Sequence, residues 1–362
     1  MAAAPHLFVA LSSHGFGHLA QTAPVLNELR RRLPALRLTV QCLLPAEVLQ
    51  QRIEGDFRPI AEAVDVGMAM ANAMDIQVEE SLAAYRAFHA GWQERLDRQE
   101  ALLKRLAPEL VFADIPYLPL TAAARLDIPA VALCSLHWAA ILEEYCRAYP
   151  ELEALRATML RAYRSAAVFL RPAPSMPMPE LANTQAIGPI AALGRERRAL
   201  LNARLGLPEG ETLVLAALGG IDMPLPMERW PVMRGIYWLA PAAWGVKRAD
   251  IRQREAVADI SFTDLLCSCD ILLTKPGYGS FTEAVCNGKP VLFIERNGWP
   301  EAPWLVSWLL ANGAALGISR ESLAAGELEG PLHKLKSQPL RPALAPTGII
   351  EAADRLQRYL AG

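Results

Sequence analysis

The sequence predicts an α/β protein of two Rossmann-like domains, each built on a parallel sheet covered by helices. Three observations predict it. A chain of 362 residues is more than one ordinary core organises and suits two. Short, wholly apolar runs alternate with helical patterns along nearly the whole length, as strands buried on both faces between helices do. The alternation breaks once, at a proline-rich stretch, and then restarts.

In the first half, His6–Ser12 and Leu36–Cys42 read as strands, with a helix over about Leu19–Leu33 between them. Val78–Leu106 reads as one long amphipathic helix ending at Pro108. Glu109–Ala113 and Ala130–Cys134 are strands again, separated by a helix near Leu118–Leu126. Arg171–Glu180 carries Pro172, Pro174, Pro177 and Pro179 and should form no regular element. Ala186–Ile190 then reads as an interdomain linker. Beyond it, strands are expected at Thr212–Ala217, Gly235–Leu239, Ile271–Thr274 and Val291–Ile294. The expected division is residues 1–185, residues 186–346 and a closing helical segment, 347–362.

Composition narrows the function. Hydrophobic residues make up 52% and charged residues 20%, a globular balance. The net charge is −2 with no long basic block, so nucleic acid is not an expected partner. The six cysteines are scattered; Cys267 and Cys269, the two that are close, match neither a zinc spacing nor a CxxC redox pair and read as small core residues. A reducing compartment suits them. No basic region precedes the first strand, and the longest apolar run, Ile128–Leu142, is short for a membrane helix and broken by Pro129 and His137. The expected location is cytoplasmic; peripheral contact with a membrane surface stays open.

In a sheet of this kind ligands bind outside the carboxyl ends of the strands. The first strand ends in Ser12-Ser13-His14-Gly15-Phe16-Gly17-His18. Gly15, Gly17 and Ala20 satisfy a dinucleotide fingerprint, but the second strand ends Val40-Gln41-Cys42 without the carboxylate a nicotinamide cofactor's ribose wants. No cofactor is expected. Small residues here let a substrate approach the backbone, and His18, at a helix start, suits a general base, unless it merely caps the helix or fills space. His14 suits either acceptor contact or a structural role. Asp114, after the strand Leu110–Ala113, is the candidate to orient His18, or else an N-cap for the helix after Pro116. His137, beyond Ala130–Cys134, lies on the same rim, for acceptor contact or packing.

The second glycine loop is sharper. Ile271–Thr274 runs into Lys275-Pro276-Gly277-Tyr278-Gly279-Ser280 and a helix carrying Phe281-Thr282-Glu283. The N–H groups of that helix start, with the Ser280 and Thr282 hydroxyls, suit a diphosphate, and Glu283 suits the two hydroxyls of a ribose. Lys275 adds charge or is a solvated surface residue. Glu301, opening Glu301-Ala302-Pro303-Trp304-Leu305, suits sugar hydroxyls, with Trp304 as packing, and the pair Gly219-Gly220 permits close approach. The chain contains no Asp-x-Asp, so no metal is expected and the helix dipole would carry the leaving charge. The loop Val66–Asp75, with Met68, Met70 and Met74, suits an apolar acceptor groove or core.

At these residues the chain resembles the GT-B glycosyltransferases, whose two parallel sheets face a central cleft. Nearest are the branch of the peptidoglycan N-acetylglucosaminyltransferase and the UDP-glycosyltransferases, and the glycosyltransferase-like N-terminal region of arabinokinases. The loop His14–His18 resembles their GxGH turn, with Gly15, Phe16 and Gly17 then placed at the acceptor. Asp114-Ile115-Pro116 with Ile128–Val131 resembles the segment bearing the aspartate partner. Pro276–Glu283 with Gly288–Val291 resembles the donor signature, the most specific of these motifs; Glu301–Leu305 resembles the sugar-contacting stretch more loosely.

The resemblance implies an inverting, metal-independent transferase acting on a nucleotide-sugar, UDP-linked by preference, with an unidentified acceptor. His18 would be the base and Asp114 its partner. Gly219, Gly220, Gly277, Tyr278, Gly279, Ser280, Thr282, Glu283 and Glu301 would form the donor site. Residues 1–185 would bind the acceptor, 186–346 the donor, and Gly348–Leu360 would cross back to the first domain. The glutamine pair that usually reads the donor sugar is missing. Arabinokinase relatives continue into a kinase domain, so phosphorylation is not expected. UDP-sugar 2-epimerases share the fold, and a non-catalytic sugar-nucleotide binder is a third class.

Overall fold

The computed structural model describes residues 4–339 and 341–360. The chain forms two compact units: residues 1–71, 75–190 and 347–362 make the first, and residues 72–74 with 191–346 the second.

The strands of the first unit are β1 (His6–Leu11), β2 (Arg37–Gln41), β3 (Arg58–Ile60), β4 (Leu110–Asp114), β5 (Ala130–Leu133), β6 (Val168–Pro172) and β7 (Thr184–Ile187). They form one parallel sheet in the order β3-β2-β1-β4-β5-β6-β7. Its helices are α1 (Gly17–Arg32), α2 (Ala46–Gln50), α3 (Val78–Ala90), α4 (Trp92–Leu106), α5 (Tyr117–Arg125), α6 (Trp138–Cys146) and α7 (Leu152–Ser165). β1 and β4 are wholly buried because helices cover both faces, which explains their unbroken apolar runs. Phe8, Phe112 and Phe169 of the sheet and Tyr117, Trp138 and Tyr163 of the helices are fully buried, and Tyr163 meets Phe169 edge-on.

The second unit begins with α8 (Arg198–Leu205). Its strands are β8 (Thr212–Ala216), β9 (Ile236–Ala240), β10 (Ile251–Gln253), β11 (Ile271–Thr274), β12 (Val291–Ile294) and β13 (Ala315–Ile318), parallel in the order β10-β9-β8-β11-β12-β13. Between and after them run α9 (Phe262–Ser268), α10 (Tyr278–Cys286), α11 (Ala302–Asn312), α12 (Arg320–Ala325) and α13 (Glu329–Ser337). Ala73 and Met74 belong to this unit's core with Trp238, Leu273 and Leu292. The last helix, α14 (Gly348–Leu360), packs on α1 of the first unit, and Arg32 pairs with Asp354 at 2.5 Å.

Several expectations need correction. The long helix is two, because the chain leaves helical geometry at Gly91 (φ −94°, ψ 19°) between α3 and α4, where glycine's low helix propensity favours a break. Asp114 is the last residue of β4 rather than the first beyond it. The proline-rich stretch is not wholly irregular, since Pro172 ends β6, and Ala186 and Ile187 of the expected linker close the edge strand β7. Of the methionines read as groove lining or core, Met74 and Met68 are core. Among the described residues no helix is long and apolar enough to cross a membrane.

Candidate functional site

In each sheet the chain runs outward in both directions from a central pair of strands, and that is where such folds open a crevice. In the first unit the pair is β1 and β4. Leu11 is paired with Asp114, and Ser12 N–H donates to the Asp114 carbonyl at 2.8 Å. The loop from Ser12 turns at Gly15, whose φ of +74° suits glycine, and α1 begins at Gly17. His18 thus stands one residue into α1, above the end of β4.

His18 Nδ1 lies 2.8 Å from Asp114 Oδ1, and Thr22 Oγ1 donates to Asp114 Oδ2 at 2.9 Å. All three side chains are buried. Burial raises the Asp114 carboxyl above its ordinary value, opposed by His18 and by the hydrogen bonds from His18 and Thr22. Cys134 Sγ sits 3.7 Å from His18 Nδ1. The three ligand-type atoms of His18, Asp114 and Cys134 fall within 4.8 Å of one another. A hydrogen bond joins two of the three, His18 Nδ1 and Asp114 Oδ1, with the Cys134 thiol beside them. The capping alternatives do not apply. The residue before α1 is Phe16 and that before α5 is Pro116; neither helix has a side-chain cap, and both oxygens of Asp114 are turned to His18 and Thr22.

His14 lies edge-on to the Trp138 ring at 5.2 Å between centroids, and His18 packs on the same indole at 5.7 Å. Phe16 is exposed at 42% on the loop between them. His137 is buried and caps α6: its Nδ1 accepts from the Ala140 N–H at 3.1 Å, and its Nε2 is 2.7 Å from Glu180 Oε1. Acceptor contact there would require breaking one of these. Thr22, Cys134, Trp138 and Asp65 belong to this cluster and were not legible in the sequence as site residues. Thr22, Asp65 and the Cys134–Trp138 stretch are separated by dozens of residues and carry no motif.

In the second unit the central pair is β8 and β11. Ala217 N–H donates to the Leu273 carbonyl at 2.9 Å, bringing the loop with Gly219 and Gly220 beside Lys275–Gly277. Gly219 has a φ of +89°, and a Cβ there would lie 3.9 Å from Lys275 Cε; a Cβ on Gly277 would lie 3.9 Å from Lys275 Nζ. The lysine therefore lies along both glycines and is half-buried, not a solvated surface residue. Burial, with the nearby Arg296 cation, lowers it to about 8, against the pull of Glu301.

α10 starts at Tyr278, so the Gly279 and Ser280 N–H groups belong to the first turn, which has no intrahelical acceptors. Thr282 is buried and donates its hydroxyl to the Tyr278 carbonyl at 2.9 Å, so its one donor is used within the helix. Glu283 is buried one turn in. Glu301 caps α11 in place but not by side chain; its Oε2 accepts from Trp299 Nε1 at 3.2 Å. The Arg296 guanidinium lies 4.5 Å over the Trp299 ring and donates to the Met74 carbonyl. Trp304, expected to pack, is 47% exposed.

Two parallel α/β units with these loops have counterparts among solved structures. The glycotransferase of kitacinnamycin matches with a TM-score of 0.65 at 16% identity, over 98% of this chain and 99% of its own. The calicheamicin glycosyltransferase CalG4 matches at 0.63 and 16%, over 99% and 98%. The fold is GT-B. The GT-B chain also matches a UDP-N-acetylglucosamine 2-epimerase at 0.53 and 16%, over 99% of this chain and 95% of the other. Among curated sequences, the L-arabinokinase of Arabidopsis thaliana is 22% identical over 333 residues, 90% of this chain and 32% of its own. The chain thus spans about a third of the length of that relative. No protein-family model matches the chain.

Proposed function

We propose that the protein is an inverting glycosyltransferase that moves a sugar from a nucleotide-sugar to an acceptor hydroxyl without a metal. The observation that carries the reading is the buried His18–Asp114 pair, 2.8 Å apart at the switch point of the first sheet. With Nδ1 given to Asp114, Nε2 is the nitrogen to take the acceptor proton, and the carboxylate stabilises the imidazolium formed. Attack of the acceptor oxygen on the anomeric carbon then breaks the bond to the nucleoside diphosphate. The leaving charge is met by the first turn of α10 at Gly279 and Ser280 and by Lys275. Glu283 binds the ribose and Glu301 the sugar; Gly219, Gly220 and Gly277 keep the pocket open to the phosphates. UDP is the favoured nucleotide, in keeping with the UDP-sugar named for one structural neighbour.

The test is a panel of nucleotide-sugars by thermal shift, followed by a search for acceptors with the donor that binds. Transfer to an acceptor, with inversion, is the expected result. The epimerase likeness supplies the second reading: conversion of UDP-N-acetylglucosamine alone to its 2-epimer would replace the transferase reading. Binding without turnover of either kind would leave a sugar-nucleotide binder.

A further inference from the structure

Asp65 lies in the connection from β3 to α3, 49 residues before Asp114 in the numbering and outside the motifs described above. Its Oδ2 accepts from Trp138 Nε1 at 2.8 Å, and Ser12, just past β1, hydrogen-bonds to the same carboxylate. Trp138 is the first residue of α6, fully buried, with its ring against both His14 and His18. Two residues after Asp65, Gly67 has a φ of +65°, and a Cβ there would stand 3.1 Å from His14 Cβ. One carboxylate therefore ties the end of β1, a loop and the first turn of α6 together around two imidazoles.

We propose that Asp65 is a positioning residue for His18: it holds the Trp138 indole against the imidazole and adds a second negative charge to the one Asp114 brings. The inference rests on the reading of His18 as base. An indole has two rotatable bonds, and a charge-assisted bond at its N–H locks the ring whose side the histidines use. The charge acts as well. His18 draws the Asp65 proton off while Asp114 and burial hold it on, and the net is a carboxyl raised from its ordinary value. Cys42, Tyr85, Tyr117 and Tyr163 also sense Asp65, all pushed upward by burial and uncharged near neutrality, and the His14 imidazole faces the same indole. His18 is a base whose charge Asp65 can stabilise.

The test needs no substrate. With 13C-labelled histidine and His18→Gln for assignment, the His18 ring is titrated by NMR in the full chain. Asp65→Asn, which keeps an acceptor for the indole but removes the charge, should lower the His18 midpoint by roughly one pH unit. Asp65→Glu should restore it. An unchanged midpoint in folded Asp65→Asn overturns the proposal. Should that variant not fold, the reciprocal measurement decides: the Trp138 indole N–H follows Asp65 protonation, and His18→Gln should move that titration upward by a similar amount. No movement overturns the proposal equally. Coupling found in a protein that transfers no sugar would keep this inference and remove the reading of function, so the two fail separately.

Discussion

Each sheet opens at its central pair of strands into a loop bearing glycines and then a helix, yet the two loops carry different chemistry. The loop after β1 brings side chains: His18 from α1, Asp114 from the end of β4 and, around them, Thr22, Cys134 and Trp138. The loop after β11 brings backbone and a cation: the first turn of α10, with Lys275 lying along Gly219 and Gly277. The difference lies in what each loop can be built from. A proton acceptor must be a side chain held in one tautomer by a partner, so it needs burial and a second strand. A diphosphate is large and diffuse in charge, and N–H groups at a helix start answer it without side chains.

Breaking that division where it is strongest gives the largest effect. His18→Ala should lower turnover by about 10²–10⁴-fold, the usual contribution of a general base. Its affinity for UDP-sugar should stay as in the wild type. Asp114→Asn should lose a similar or smaller factor. The double variant should be little worse than His18→Ala, because the pair acts as a unit. Initial rates with the donor and acceptor found in the panel measure all three. Additive losses would separate the two residues, and a matching loss of donor affinity would end the division of labour.

The next largest effect belongs to the second loop. Glu283→Ala should weaken UDP binding by about 1.5–3 kcal/mol, the scale of a hydrogen bond to a charged group. Calorimetry on the folded variant reads it, and unchanged binding would move the ribose elsewhere. A smaller effect is expected of pH. Lys275 is charged below its depressed value of about 8 and neutral above it, so UDP affinity should fall as pH rises from 7 to 9. Lys275→Met should bind more weakly at pH 7 and flatten that slope. A wild-type slope that survives in Lys275→Met would assign it to another group. The smallest effect is none: UDP binding and turnover should be unchanged in excess EDTA. A loss restored by magnesium or manganese would replace the helix start as the answer to the leaving charge.

Much of this was legible in the sequence, and the unread parts have physical reasons. The strands that line the crevices are buried on both faces, so β1, β4, β8 and β11 appear as apolar runs at nearly their observed bounds. The edge strands β3, β7, β10 and β13 and the inner strand β6 were not legible; β3, β7 and β10 carry no such run because one side of an edge strand faces solvent. The break at Gly91 went unread because α3 and α4 keep their apolar stripes on either side of it. The partner of the Thr282 hydroxyl is not legible in the sequence, since a hydroxyl inside a helix can turn back to the carbonyl one turn earlier.

By itself the sequence determined the α/β architecture, the two glycine loops and the residue types able to act in them, because periodicity, glycine and helix starts are properties of neighbouring residues. Only the tertiary structure decided which of those residues meet. His18 and Asp114 are 96 positions apart, and Trp138 and Asp65 are 73 apart. The first pair meets because β4 inserts beside β1 in the sheet order, and the second because the connection from β3 to α3 carries Asp65 back to the first turn of α6. Local pattern names the strands, but burial of apolar surface across the whole sheet chooses their neighbours.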